Sequence, residues 1–166
     1  MKIAALITGG GYAWLDFLKR PGGSKILDSV IIPYSRSSWS VFGIDDADAK
    51  VDLRTTIYLL EQLQSKHESA SLDYLVINAA LTTDRPRSGE NRAYISLLRF
   101  GAERRKTIEV QFPKLEIFDN GAAVYKREDE DGYIARLTEQ LLSSRLVHNY
   151  GFEVDVYGET VWRFVE

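Results

Sequence analysis

The sequence predicts one α/β domain of the three-layer α/β/α type, with a mixed and mostly parallel sheet. Continuous apolar runs at 2–7, 29–34 and 73–79 are typical of strands buried on both faces, as parallel strands are. Segments with helical spacing lie between these runs, which is the alternation of a βαβαβ unit. The length of 166 residues suits a single hydrophobic core, so we expect one domain over 1–166.

The first half of the chain supplies the parallel strands and two helices. The strand at 2–7 stops at three glycines, and a helix over 12–19 follows until Pro21-Gly22-Gly23 ends it. A second helix is expected over 51–64, where isoleucine and leucine recur with helical spacing. We therefore expect the three apolar strands to be adjacent and parallel.

The pattern then changes to antiparallel pairing. A strand over 92–100 and one over 105–112 are separated by a short turn, and two strands joined in this way run antiparallel. The second strand alternates apolar and polar residues, which indicates a position near the edge of the sheet.

The last third predicts two hairpins around one long helix. An Asp-Asn-Gly turn indicates a small hairpin over 115–125, and a helix over 128–146 follows. Its charged opening, 126–131, suits the helix dipole and is most simply a solvated helix start. The chain finishes with a hairpin made of 152–156 and 161–165.

Composition limits the function classes. No cysteine is present, which excludes disulfides, thiolate metal sites and a cysteine nucleophile. His67 and His148 have no companion ligands nearby, so we expect no metal and no cofactor. The net charge of −3 gives no reason to expect nucleic acid as a partner. The apolar runs are too short for a signal peptide or a membrane span, which predicts a cytoplasmic protein without a membrane partner. Homo-oligomerisation stays open.

A candidate site follows from where the parallel strands end. Ligands of open α/β sheets bind outside the carboxyl ends of the strands, and three loops should meet there. These loops are Thr8-Gly9-Gly10-Gly11, Pro33-Tyr34-Ser35-Arg36 and the segment from Leu81 to Arg87. The candidate ligand-binding residues are Thr8, Gly9, Gly10, Gly11, Tyr34, Ser35, Thr82, Thr83, Arg85, Arg87 and Arg92.

The chemistry of these loops suits a small anion. Glycines before a helix let a ligand approach the backbone, and the free N–H groups of a helix start favour phosphate or carboxylate. Guanidinium forks bind the same oxygens. The alternatives are structural. Thr8 is then a helix cap in a tight turn, Ser35 another cap and Tyr34 packed core, and the third-strand loop is solvated with Asp84 paired to an arginine.

The same loops resemble the CinA C-terminal family, whose members show Glu-Ser-Cys-Thr-Gly-Gly, Pro-Gly-Ala-Ser and Tyr-Ser-Asn-x-x-Lys in this order. Ala5-Leu6-Ile7-Thr8-Gly9-Gly10 aligns with the first motif, Pro21-Gly22-Gly23-Ser24 with the second and Tyr34-Ser35-Arg36 with the third. The segment 83–92 is similar to the Thr-Asp-Arg-Pro-Lys-Arg-Gly-Glu-His-Arg stretch of a divergent branch, and 127–130 to that branch's Arg-Glu-Glu-Glu.

The resemblance covers about residues 2 to 146 and leaves the terminal hairpin over 152–166 outside. It implies a three-layer fold and a pyridine-nucleotide substrate class, since active members are amidohydrolases that deamidate nicotinamide mononucleotide. Their nucleophile is the Ser of the first motif, and their base is the Lys of the third. Here Leu6 stands at the Ser position and Trp39 at or beside the Lys position. The resemblance therefore implies that phosphate binding is retained, without the amidase chemistry. The positions that carry over are Thr8, Gly9 and Gly10, together with Tyr34 and Ser35.

Three hypotheses follow. The first is a domain that binds a small anionic or phosphorylated metabolite without catalysis. The second is an active hydrolase with a rebuilt site, in which Thr8, Ser35 or Thr83 is the nucleophile, although no Lys or His lies beside them in sequence. The third is a scaffold or assembly domain with an empty cleft.

Overall fold

A computed structural model describes residues 1–45, 48–67, 71–86 and 88–165, and it confirms the predicted α/β class. Seven strands form one mixed sheet in the order β2-β1-β3-β4-β5-β7-β6, with helices packed on both faces. The strands are β1 (Lys2–Thr8), β2 (Leu27–Ile31), β3 (Leu72–Ala80), β4 (Asn91–Leu98), β5 (Lys106–Phe112), β6 (Tyr150–Asp155) and β7 (Gly158–Val165).

Within the described ranges, two α-helices and three 3-10 helices join the strands. The α-helices are α1 (Leu53–Ser65) and α2 (Asn120–Leu142), and the 3-10 helices are Tyr12–Lys19, Gly23–Lys25 and Arg36–Phe42. Among the described residues, no helix is both long enough and apolar enough to cross a lipid bilayer.

The parallel part of the sheet matches the sequence prediction. β1 lies between β2 and β3 and is parallel to both, so the three apolar strands are adjacent and parallel. β4 pairs antiparallel with β3 and with β5, as expected for the strands at 92–100 and 105–112. Two of the six pairings in the described chain are parallel and four are antiparallel. Parallel pairs are thus the minority of the pairings, although five of the seven described strands point the same way.

The prediction that the strand at 105–112 lies near the edge is wrong. β5 pairs with β4 on one side and with β7 on the other, so the terminal hairpin extends the sheet beyond it. Two of its alternating polar residues, Thr107 and Glu109, are buried, and each has a polar partner on a neighbouring strand. The edges are β2, which is short and half-buried, and β6.

The side chains of β1 alternate between two hydrophobic cores. Ala5 and Ile7 point to the face covered by α2 and the 3-10 helix at Tyr12–Lys19. Ala4 and Leu6 point to the opposite face, which is covered by α1 and the 3-10 helix at Arg36–Phe42. Both faces of the central strands are thus buried, which explains why the β1 and β3 sequences are largely apolar without alternation.

The predicted hairpin over 115–125 is wrong. The α2 helix begins at Asn120, eight residues before the predicted start, and the Asp119 carboxylate accepts a hydrogen bond from the Gly121 amide at 3.1 Å. The Asp-Asn-Gly sequence is therefore a helix cap and first turn. The helix ends at Leu142, and the terminal hairpin predicted after it is present as β6 and β7.

Candidate functional site

The loops after β1 and β3 start side by side at the carboxyl edge. Thr8 pairs with Asn78 in the parallel register, and the buried Thr8 hydroxyl donates to Asn78 Oδ1 at 2.7 Å. The Asn78 amide in turn donates to the Thr56 hydroxyl at 3.1 Å and to the Lys50 carbonyl at 3.0 Å. Thr8 is therefore a buried link between β1 and β3 rather than a helix cap.

The three glycines after Thr8 fit closely against β3 and against Leu81, which follows it. A Cβ atom on Gly9 would lie 1.9 Å from the Ala79 carbonyl oxygen, and one on Gly10 would lie 2.4 Å from Leu81 Cδ1. Gly9 also has a φ of 72°, a conformation that other residues rarely adopt. Internal packing thus requires glycine here whether or not a ligand binds.

The helix start behind these glycines already holds a carboxylate. Asp131 of α2 accepts hydrogen bonds from the amides of Gly11, of Tyr12 at 3.0 Å and of Ala13 at 2.7 Å. An acidic group at a helix N-terminus satisfies the free amides and the helix dipole. The protein's own carboxylate therefore occupies the position where the sequence predicts an external anion.

Arg127, one turn before Asp131, ties the two loops together. Its guanidinium donates to the Thr82 carbonyl at 3.0 Å and to the Gly9 carbonyl at 2.9 Å. This contact confirms that the glycine loop and the third-strand loop share one edge. Both acceptors are neutral, and no carboxylate of the described chain forms an ion pair with Arg127.

A buried ion pair lies beside this bridge. Lys126 Nζ lies 3.2 Å from Glu130 Oε2, and each side chain is 2% exposed. Glu130 also accepts hydrogen bonds from the Thr82 amide at 2.8 Å and from the Asn91 side chain at 3.3 Å. The prediction that 126–131 is a solvated helix start is therefore wrong for the residues that face the sheet.

Tyr12 places an unpaired hydroxyl in the same region. The hydroxyl is buried, and no residue of the described ranges forms a hydrogen bond of normal geometry with it. Burial raises the pKa of Tyr12. The nearby Gly9 backbone and Arg127 lower this pKa, while Tyr34 and Asp131 raise it. The ring centroids of Tyr12 and Tyr34 are 6.3 Å apart.

The loop after β2 contributes exposed side chains. Tyr34 is 79% exposed and is not packed core, which settles that alternative. Ser35 is also exposed, and its hydroxyl lies 3.0 Å from the Ser37 hydroxyl without capping the following 3-10 helix. Both residues remain accessible to a ligand.

The third-strand loop is divided between buried and exposed residues. Thr82 is buried, and its hydroxyl accepts a hydrogen bond from the Asn91 side chain at 3.0 Å. The Thr83 hydroxyl donates to the Arg85 carbonyl at 2.7 Å, and Arg85 itself is exposed. Arg92 is half-buried on β4, opposite Ala80. Arg87 lies outside the described residues.

The three candidate nucleophiles have no general base beside them in the described chain. The partner of Thr8 is an amide oxygen, that of Ser35 is another hydroxyl, and that of Thr83 is a backbone carbonyl. None of these partners can take a proton from an attacking hydroxyl near neutral pH.

Sequence reasoning missed Arg127, Glu130 and Asp131. A signal was present, because Lys126 and Glu130 continue the i, i+4 spacing of the apolar stripe of α2 through Ile134. Charged residues on the buried stripe of a helix indicate internal partners, and here those partners are the two loops.

Comparison with known proteins supports the fold. No protein-family model and no curated protein matches the sequence. The structure is similar to a competence or damage-inducible protein from Enterobacter asburiae, with 12% identity, 87% of each chain covered and a TM-score of 0.58. It is also similar to a CinA superfamily protein from Enterobacter cloacae, with 16% identity, 85% of this chain and 82% of that chain covered, and a TM-score of 0.56.

A third similar structure is the competence/damage inducible protein CihA from Agrobacterium tumefaciens. It has 10% identity and a TM-score of 0.61, with 87% of this chain and 86% of that chain covered. The protein therefore has the CinA-like fold, as the sequence motifs predict.

Proposed function

We propose that this CinA-like domain binds a small anionic metabolite, of the pyridine-mononucleotide type, at the carboxyl edge of β1 and β3. We also propose that it lacks the amidase reaction of active family members. The observation that supports binding is the half-buried guanidinium of Arg127, whose two acceptors are neutral carbonyl groups.

The charge of Arg127 is available to a ligand because backbone carbonyls do not neutralise it. A guanidinium that fixes two loops still keeps donors for a phosphate or carboxylate. The buried Tyr12 hydroxyl lies in the same region and adds a donor. The exposed ring of Tyr34 offers a flat apolar surface for a pyridine ring, while Ser35, Thr83 and Arg85 surround the edge.

Two buried positions support the proposed absence of the amidase reaction. Leu6, at the position of the family's nucleophile, is fully buried in the core under α1. Trp39, at or beside the position of the family's base, is buried in the same core. Neither side chain has a group that ionises or attacks, and both are packed away from the edge.

A second candidate, a non-catalytic scaffold, is favoured by Asp131. This carboxylate fills the helix start, so the strongest anion position predicted from sequence is closed. If Arg127 serves only to join the two loops, its hydrogen bonds to the Gly9 and Thr82 carbonyls are sufficient and the domain needs no ligand there.

Titration with inorganic phosphate and with nicotinamide mononucleotide tests the proposal, with isothermal calorimetry as the readout. Asp131→Asn keeps one acceptor oxygen for the amides but removes a negative charge, so both ligands should bind more tightly than to the wild type. Tyr12→Phe removes one hydrogen bond to an anion and should weaken binding about tenfold. Lys19→Ala, on an exposed helix surface, should leave both affinities unchanged.

Two results would count against the proposal. Absence of binding to both the wild type and Asp131→Asn, with the fold intact by circular dichroism, would favour the scaffold. Deamidation of nicotinamide mononucleotide at about 1 per second or faster would show that a catalyst exists elsewhere in the chain.

A further inference from the structure

The strand β6 exposes a row of apolar side chains at the end of the sheet. Tyr150, Phe152 and Val154 alternate along the strand and are 67%, 64% and 66% exposed. An aromatic side chain carries roughly 150–250 Å², so Tyr150 and Phe152 alone expose on the order of 250 Å². Contiguous apolar patches of several hundred Å² on a soluble domain mark interaction surfaces.

The β6–β7 register shows that this row lies on the face of the sheet that α1 covers only in part. Glu153 lies opposite Thr160, which is buried on the side of α2, so the neighbours of Glu153 along β6 point the other way. On that other face α1 packs on β1, β3 and β4. The apolar row therefore lies beyond the helix, and no helix or strand of the described chain covers it.

The same three residues carry the outward backbone groups of the strand. The Phe164 amide donates to the Asn149 carbonyl at 2.9 Å, so the backbone of Asn149 faces β7. Backbone groups alternate between the two sides of an antiparallel strand. The N–H and C=O groups of Tyr150, Phe152 and Val154 therefore point away from β7, towards the open edge.

β6 also lacks the usual protection of an edge strand. Edge strands are blunted by lysine, proline, a bulge or short length. β6 contains no lysine and no proline, and its register with β7 is regular over six residues. Its two carboxylates, on Glu153 and Asp155, lie on the α2 side and leave the apolar row uncharged.

We propose that β6 pairs antiparallel with β6 of a second copy of this chain, about a twofold axis at Phe152. This register places Phe152 opposite its own copy and Tyr150 opposite Val154, so every apolar residue of the row faces an apolar partner. Glu153 then lies opposite Gly151. A shift of the axis to Glu153 would oppose two carboxylates, which is unfavourable.

A second copy of β6 suits this open edge better than an unrelated strand, because the apolar row of β6 is complementary to itself in this register. The twofold arrangement repeats each contact once and closes after two copies, as isologous interfaces do. The result is a fourteen-stranded sheet across two domains of small net charge, −3 each. One strand pair is a small interface, so we expect a micromolar rather than nanomolar dissociation constant.

Cysteine cross-linking tests the register, because the chain contains no cysteine of its own. In the proposed dimer the two Phe152 positions form a hydrogen-bonded pair with Cα atoms about 5.5 Å apart, within disulfide range. Phe152→Cys should form a disulfide dimer under mild oxidation. Val156→Cys, in the exposed hairpin turn, should not, because four residues on each side of the axis separate those positions by about 27 Å.

Sedimentation velocity over a range of concentrations tests the association itself. The wild type should shift from monomer to dimer, and Phe152→Lys should raise the dissociation constant about tenfold or more, because it places a charge at the axis. Ile117→Lys, which removes another exposed apolar side chain, should behave as the wild type. A wild type that is monomeric at every concentration, a dimer that persists in Phe152→Lys, or equal cross-linking of both cysteine variants would overturn the proposal.

Discussion

Removal of one charge from the buried Lys126–Glu130 pair should destabilise the protein strongly. Lys126→Met keeps most of the stem but leaves the Glu130 carboxylate almost fully buried, where the Thr82 amide and the Asn91 side chain remain as its partners among the described residues. An uncompensated buried charge of this kind lowers the free energy of unfolding by about 3–5 kcal/mol. We expect a similar loss for Glu130→Gln, which leaves the ammonium without its carboxylate.

The double variant Lys126→Met/Glu130→Gln should be less damaging than the sum of the two single variants. It contains no buried charge, and the glutamine can still accept from the Thr82 amide, so the coupling energy should reach about 2 kcal/mol or more. Urea unfolding followed by tryptophan fluorescence and circular dichroism measures all three differences.

An exposed ion pair provides the matched control. Lys19 lies 2.9 Å from Asp16, but the side chains are 76% and 64% exposed. Lys19→Met should therefore change stability by less than about 0.5 kcal/mol. A loss of under about 1 kcal/mol for Lys126→Met would refute the reasoning, since it would mean that the ammonium is solvated in the folded protein.

Three further predictions concern other parts of the fold. Asp131→Ala leaves three helix-start amides without their acceptor, so urea unfolding should show a loss of about 2–3 kcal/mol. Burial raises the pKa values of Tyr74 and Tyr94 above 10.0. Their contribution to stability is complete below about pH 10 and is lost as the pH rises through the folded pKa values, because the unfolded chain ionises first. Absorbance at 295 nm should show the late ionisation of these tyrosines, and the urea midpoint should fall over the same pH range. Gly9→Ala should prevent folding, whereas Gly89→Ala, with open space around it, should be neutral.

The parallel half of the fold could be predicted because its signals are local. β1 is apolar from Ile3 to Ile7 and β3 from Tyr74 to Ile77, and burial on both faces is the condition that removes alternation. The loops after these strands follow from topology, so the shared edge was also predictable. The predicted strand 29–34 lies two or three residues too far along the chain, because β2 is Leu27–Ile31.

The features that sequence reasoning missed depend on distant partners. The polar residues of β5 suggested an edge, but Glu109 is buried beside Arg163 of β7, 54 residues away. Likewise the charges of α2 have partners in loops 45 to 120 residues earlier. The local sequence pattern shows that a position is polar, but it does not show which distant group forms the hydrogen bond or ion pair with that residue. A buried charge therefore looks solvated until its partner is located.

The two halves of α2 have different surroundings: one packs in the core, and the other contacts the loops at the carboxyl edge of the sheet. Its second half packs apolar residues such as Ile134 and Leu137 under the sheet, while its first half inserts Arg127 and Asp131 between the loops. Any anion at Arg127 must therefore bind beside Asp131 or displace it. Binding beside it would stabilise the folded protein as any native-state ligand does, but displacement would release the amides that anchor the helix and offset that gain. Asp131→Asn lowers the repulsion and keeps one of the two acceptor oxygens, so affinity and thermal stability measured together in this variant separate the two modes.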